Sequence, residues 1–194
     1  ANRYNIIIKT IQENSDTSEY SFLYQIHEKA TVLYQKNLFS PPGEKALQYL
    51  KDRNLKEETI KKFRIGFAIK SWNDLLNSLN HIGPKDSLMK SGLFIRSEKG
   101  TFDRFRSRIM FPIFHQSGKV NAFGGRDFGN NDSAKYLNSP ETALYQKSNT
   151  LYGLHVTKDV IRRSGYAVLV EGYMDFLQLY QAGIEPVVSV SGTS

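Results

Sequence analysis

Apolar positions in the first half of the chain recur at helical spacing. Over residues 19–37, Phe22, Leu23, Ile26, Ala30, Leu33 and Tyr34 fall three or four apart and predict an amphipathic helix with one buried stripe. Ser40-Pro41-Pro42-Gly43 ends it. A second helix is expected over 44–53 with Ala46, Leu47 and Leu50 inward, a short third over 56–63, and a strand over 65–69. Two more short helices, 72–79 and 85–90, are split by Gly83-Pro84. From Leu93 onward the period changes to two. Strands are predicted over 94–96, 108–114 and 120–126, the last two forming a hairpin across Gln116-Ser117-Gly118-Lys119. A polar loop over 127–135 follows. Residues 154–164 read as a helix, and 166–170, 174–181 and 187–190 then read as strand, helix and strand, the order of a parallel βαβ unit.

Two parallel strands do not make a stable sheet, so this unit is expected to be completed by something else, and the sequence reads as a truncated piece of a longer protein. With 194 residues, 40% hydrophobic and 23% charged, the chain suits one globular unit or two modest ones. It has no run of about 18 apolar residues, and its opening stretch is too polar for a signal peptide, so it reads as soluble and cytoplasmic, with no membrane partner. The absence of cysteine excludes disulfides and thiolate zinc sites within this chain. Four histidines are scattered without ligand spacing. A net charge of +7 makes a polyanion the first partner to consider.

Within that frame, several stretches carry candidate chemistry. Glu171 ends the strand over 166–170, and Asp175 lies in the first turn of the next helix, with Gly172 letting the chain bend between them. Two carboxylates so placed suit Mg²⁺ or Mn²⁺, which keep waters and share ligands with phosphates; the plainer reading is a polar strand end and helix start. In Asp103-Arg104-Phe105-Arg106-Ser107-Arg108, an extended backbone would set Arg104, Arg106 and Arg108 on one face about 7 Å apart, close to phosphate spacing. The alternative is a solvated edge strand. Gly124-Gly125-Arg126-Asp127 would bring backbone N–H groups and a guanidinium to a phosphate, or mark a bulge or turn. Lys135, Tyr136, Asn138 and Lys147 offer an aromatic face, an amide and two ammonium groups, suited to a nucleotide or equally to a solvated loop. No serine stands in a nucleophile-elbow context, which leaves acyl transfer unsupported.

Taken together, DRFRSRIMFPI, GKVNAFGGRD, KYLNSPET and LVEGYMDFLQLYQAG, in this order and spacing, resemble the RNA-polymerase core of bacterial replicative primases of the DnaG type. IKKFRIGFA resembles an earlier segment of that core, and the likeness extends over residues 20–194. It implies an α/β fold in which an α+β amino-terminal subdomain, residues 19–164, is followed by the first βαβ of a Toprim domain, 165–194, with 1–18 a linker or arm. It further implies that Glu171 and Asp175 serve catalysis and the metal, and that Arg104, Arg106, Arg108, Arg126 and Lys62 hold template. Lys135, Tyr136, Asn138 and Lys147 would then handle nucleotide. The parent would be a DNA-directed RNA polymerase that makes short RNA primers on single-stranded DNA from ribonucleoside triphosphates. Its cofactor would be Mg²⁺ or Mn²⁺, with zinc only in an amino-terminal module outside this chain, and the replicative helicase would be met through regions outside it. The alternative is a catalytically incomplete module that binds single-stranded DNA or nucleotide. A nuclease or topoisomerase-like relative would share the Toprim part only, whereas DRFRSR and KYLNSP lie outside it.

Overall fold

A computed structural model describes residues 13–79, 81–83, 85–128 and 134–190. Its centre is an antiparallel sheet of β1 (Gly66–Ala68), β4 (Arg108–Phe114), β5 (Val120–Asp127) and β6 (Tyr136–Asn138), in the order β1-β4-β5-β6. Helices α1 (Glu13–Leu38), α4 (Asp74–Leu79) and α5 (Lys85–Lys90) cover one face, and α2 (Glu44–Asp52), α3 (Glu57–Lys62) and α7 (Tyr173–Gln181) cover the other. A hairpin of β2 (Phe94–Ser97) and β3 (Gly100–Asp103) stands beside α4 and α5.

Alternation along β4 explains the two cores. Ile109, Phe111 and Ile113 enter the core shared with α2, α3 and α7, while Met110 and Phe114 enter the one shared with α1, α4 and α5. Both faces of this strand are therefore apolar, and all seven of its residues are buried. The stripe predicted over 19–37 supplies Leu23, Ile26, Ala30 and Tyr34 to the second core. The helix itself begins at Glu13, so residues 13–18 continue it instead of forming an arm; residues 1–12 lie outside the described residues. Pro84 and positions 129–133 of the expected polar loop also lie outside them.

The βαβ unit forms as expected: β8 (Val168–Val170), α7 and β9 (Val187–Val190), with β8 and β9 parallel in the register Leu169↔Val188. A third strand joins it from earlier in the chain. β7 (Leu151–Tyr152), just before α6 (Leu154–Ser164), pairs antiparallel with the other edge of β9, giving the order β7-β9-β8. Tyr152, Tyr173, Phe176 and Val187 then enter the same core as β4 and α3, so the unit shares its interior with the rest of the chain.

Candidate nucleic-acid interface

The predicted arginine strand is interrupted. β3 ends at Asp103 and β4 starts at Arg108, and between them Ser107 takes a left-handed backbone at φ 51°, which breaks the alternation that would have aligned three guanidinium groups. Each arginine consequently has a different environment. Arg104 donates from Nε to the Gly92 carbonyl at 2.8 Å. The Arg106 guanidinium carbon lies over the indole of Trp72, 4.2 Å from the ring centre, and Arg106 donates to the Asp103 carbonyl. Arg108 is buried and donates to the carbonyls of Gly125 and Ala134, each at 3.0 Å, tying β4 to β5 and to the segment before β6. Burial lowers the pKa of both Arg104 and Arg108.

These side chains line one groove of about 420 Å³, together with Lys70, Trp72 and Asp127. Its cations outnumber its acid four to one. Trp72, the only tryptophan in the chain, is 60% exposed at this site, and the Phe102 ring meets it edge-on at 5.2 Å. Sequence reasoning placed Trp72 at the start of a helix, but α4 begins two residues later. Asp103 was missed as well: its buried carboxylate accepts from the backbone N–H groups of Leu75 and Leu76 in the first turn of α4, at 2.8 and 3.0 Å.

The remaining predicted residues lie elsewhere. Arg126 is on the opposite sheet face, between the rings of Tyr49 and Tyr136 at 5.2 and 5.4 Å, and it donates to the Tyr136 hydroxyl at 2.8 Å. Asn138 accepts from the Tyr173 hydroxyl at 2.8 Å. Gly124 and Gly125 are neither a phosphate turn nor a bulge. They sit inside β5 with partners on both sides, Phe111 and Asn138 for the first, Met110 and Leu137 for the second. Their lack of a side chain admits neighbours: a Cβ on Gly124 would lie 2.4 Å from the Tyr173 ring, and one on Gly125 2.8 Å from Phe105.

Lys62 is the last residue of α3, and its ammonium donates to the Tyr180 hydroxyl at 2.6 Å and sits 4.7 Å over that ring, which joins α3 to α7 away from the groove. Lys135 is exposed just before β6, and the half-buried Lys147 donates its backbone N–H to Glu141 at 2.8 Å. Glu171 follows β8, Gly172 caps α7, and Asp175 lies in its first turn, where an acid also favours the helix dipole. Both carboxylates are exposed, an arrangement that suits a partly hydrated divalent ion. Among the described residues no group of three or more His, Cys, Asp or Glu gathers to hold one. Among the described residues, too, no helix is long and apolar enough to cross a membrane.

Comparison with known proteins gives concordant findings. The DNA primase of Escherichia coli (strain K12) is 41% identical over 174 residues, covering 89% of this chain and 30% of that protein, so the chain spans about 30% of this curated relative's length. Among solved structures, the DnaG primase catalytic domain bound to ssDNA superposes with a TM-score of 0.84 at 39% identity, over 92% of this chain and 56% of that one. The RNA polymerase domain of Mycobacterium tuberculosis primase DnaG, in complex with a double-stranded DNA oligomer with a 6-nucleotide overhang, gives 0.86 at 35% identity, over 90% and 55%. A family model described as DNA primase catalytic core, N-terminal domain, matches residues 33–158. The chain, from the helix that backs the central sheet to the start of α6, belongs to that primase catalytic-core family.

Proposed function

We propose that this chain is the template-holding and nucleotide-facing part of a primase, a DNA-directed RNA polymerase that makes short RNA primers on single-stranded DNA. The observation that carries the reading is the Trp72–Arg106 pair at a groove with four cations against one acid. A solvent-facing indole offers its face to a base, and the surrounding cations take phosphates without reading sequence. Support comes also from the solved relative bound to ssDNA.

On the opposite sheet face, Arg126, Tyr136 and Asn138 stand beside the βαβ unit, with Lys135 and Lys147 near them in sequence. In this reading they receive a ribonucleoside triphosphate: charge from Arg126, Lys135 and Lys147 meets the phosphates, and the Tyr136 ring backs the base. Tyr173 fixes the Asn138 amide, so the polar end of β6 is set before nucleotide arrives. Glu171 and Asp175 are the oxygen ligands this chain contributes to a Toprim-type site for Mg²⁺ or Mn²⁺, the remainder coming from the parent protein. Such an ion, when bound, neutralises triphosphate charge and favours ionisation of the attacking hydroxyl. The parent acts in the cytoplasm, extends an RNA primer, and meets the replicative helicase through regions outside this chain.

The test is fluorescence anisotropy of a short labelled oligothymidylate with this chain at several salt concentrations, beside Arg106→Ala. Binding should weaken steeply with salt, and the variant should lower both affinity and the salt slope, the latter by about one. A chain that does not bind, or a variant that matches it, would overturn the groove as a template track.

A further inference from the structure

Trp72 has little to hold it. It is 60% exposed, lies outside regular secondary structure, and makes ring contacts with the Phe102 and Arg106 side chains among the described residues. Asp103 makes four bonds around it. The Asp103 backbone N–H donates to the Trp72 carbonyl at 2.7 Å, and the Asp103 carbonyl accepts from the Arg106 guanidinium. Its two carboxylate oxygens accept from Leu75 and Leu76, fixing where α4 starts, two residues beyond the tryptophan. A single residue thus joins the end of β3, the Trp72 backbone, the guanidinium over its ring, and the following helix.

Asp103 is 2% exposed, a costly place for a charge that serves packing alone. We propose that Asp103 is the positioning residue of the Trp72–Arg106 platform, holding the guanidinium over the indole in the arrangement that receives a nucleic-acid base, without touching the nucleic acid itself. This rests on the reading of the groove as a template track.

The electrostatics around it fit such a role. Burial pushes the Asp103 carboxyl up to about 6, the neighbouring Asp74 adds to this, and the two backbone donors and Arg106 oppose it. The other groups facing it are Asp74 on α4, itself bonded by Asn37 at 2.9 Å, and the buried Tyr34 hydroxyl on α1, whose pKa burial and both acids raise, so that it stays protonated. Proton uptake takes away one acceptor oxygen from the cap, and the start of α4 loosens next to the indole.

The single tryptophan makes the experiment direct. Oligothymidylate binding is measured for the unaltered chain, Trp72→Ala, Asp103→Asn and the double variant. Loss of one stacked base should weaken binding about tenfold in Trp72→Ala. Loss of one of the two acceptor oxygens at the start of α4 should weaken it about fivefold in Asp103→Asn, and the double variant should bind no worse than Trp72→Ala, because the aspartate acts through the indole. Asp103→Asn binding like the unaltered chain, or losses that multiply in the double variant, would overturn the proposal while leaving the groove in place. Unchanged binding by Trp72→Ala would remove the groove reading and this proposal with it. Should Asp103→Asn fail to fold, Trp72 emission of the unaltered chain is followed from pH 7.5 to 5. A transition centred at about 6 supports the link; flat emission overturns it.

Discussion

The ring of Tyr173, the first residue of α7, lies over Gly124 in β5, so close that a methyl group there would fall 2.4 Å from its Cε2. This contact seats the βαβ unit on the central sheet, with Phe111 stacked on the same ring at 5.2 Å. Gly124→Ala should therefore cost about 2 kcal/mol by overpacking, read from urea midpoints. In a Tyr173→Ala background most of that increment should vanish. An equal cost in both backgrounds would place the strain elsewhere.

Arg106 and Arg108, two residues apart, should separate by phenotype. Arg108 is buried with its guanidinium bonded to two backbone carbonyls, so Arg108→Ala should destabilise the fold by about 3 kcal/mol. Arg108→Lys should recover only part of this, since an ammonium lacks the planar fork. Arg106→Ala should leave the urea midpoint nearly unchanged and act on oligothymidylate affinity. Matching stability losses for both would restore the shared strand face that Ser107 interrupts.

Stability should fall on mild acidification. Burial lowers His27 and His155 to about 4, so both are neutral in the native chain while the unfolded chain protonates them below about 6.5. Across that window the unfolded state binds more protons and gains population as pH drops. Asp103, raised to about 6, works in the opposite sense from about 6 downward, because there the native state holds the extra proton. Two groups outweigh one. Urea midpoints should decline from pH 7 toward 4.5, and His155→Phe, which preserves the stack on Phe114 seen at 4.1 Å, should remove most of the decline, because Asp103 then offsets most of what the remaining histidine contributes. A midpoint that rises on acidification would mean that the Asp103 contribution dominates.

Glu171→Gln, placed in a full-length primase carrying this chain, should abolish primer synthesis and leave oligothymidylate affinity unchanged, because Glu171 follows β8 and does not line the groove. Asp175→Asn should reduce synthesis and also cost about 0.5 kcal/mol in stability through the helix dipole. Retained synthesis in Glu171→Gln would take that carboxylate out of the metal site.

Much of the architecture was legible from local pattern. The spans 108–114, 154–164 and 187–190 have the bounds that the pattern predicts, because each is set by its own local run or spacing of apolar residues. β7 was not legible: Leu151 and Tyr152 are strand only because Val190 and Ser189 pair with them from far along the chain. The shared strand face expected of Arg104, Arg106 and Arg108 is missing for a local reason, since the left-handed residue Ser107 breaks the alternation before Arg108, although all three still line one groove. The two glycines failed for distant ones, the Tyr173 ring over Gly124 and the Phe105 ring over Gly125. Trp72 was visible as a lone tryptophan, but its partnership with Arg106, arranged across the fold by Asp103, belongs to no sequence window.

The position of β9 between β7 and β8 also fixes an order of events during translation. The central sheet is complete once Asn138 has emerged, whereas among the described residues β7 and β8 pair only with residues 187–190, which arrive later. At ordinary elongation rates, Tyr152 waits roughly two to eight seconds for the strand that covers it. A nascent chain stalled in that interval would display Tyr152, Phe176 and Leu177 beside an already closed sheet, a sticky surface that invites chaperones or self-association.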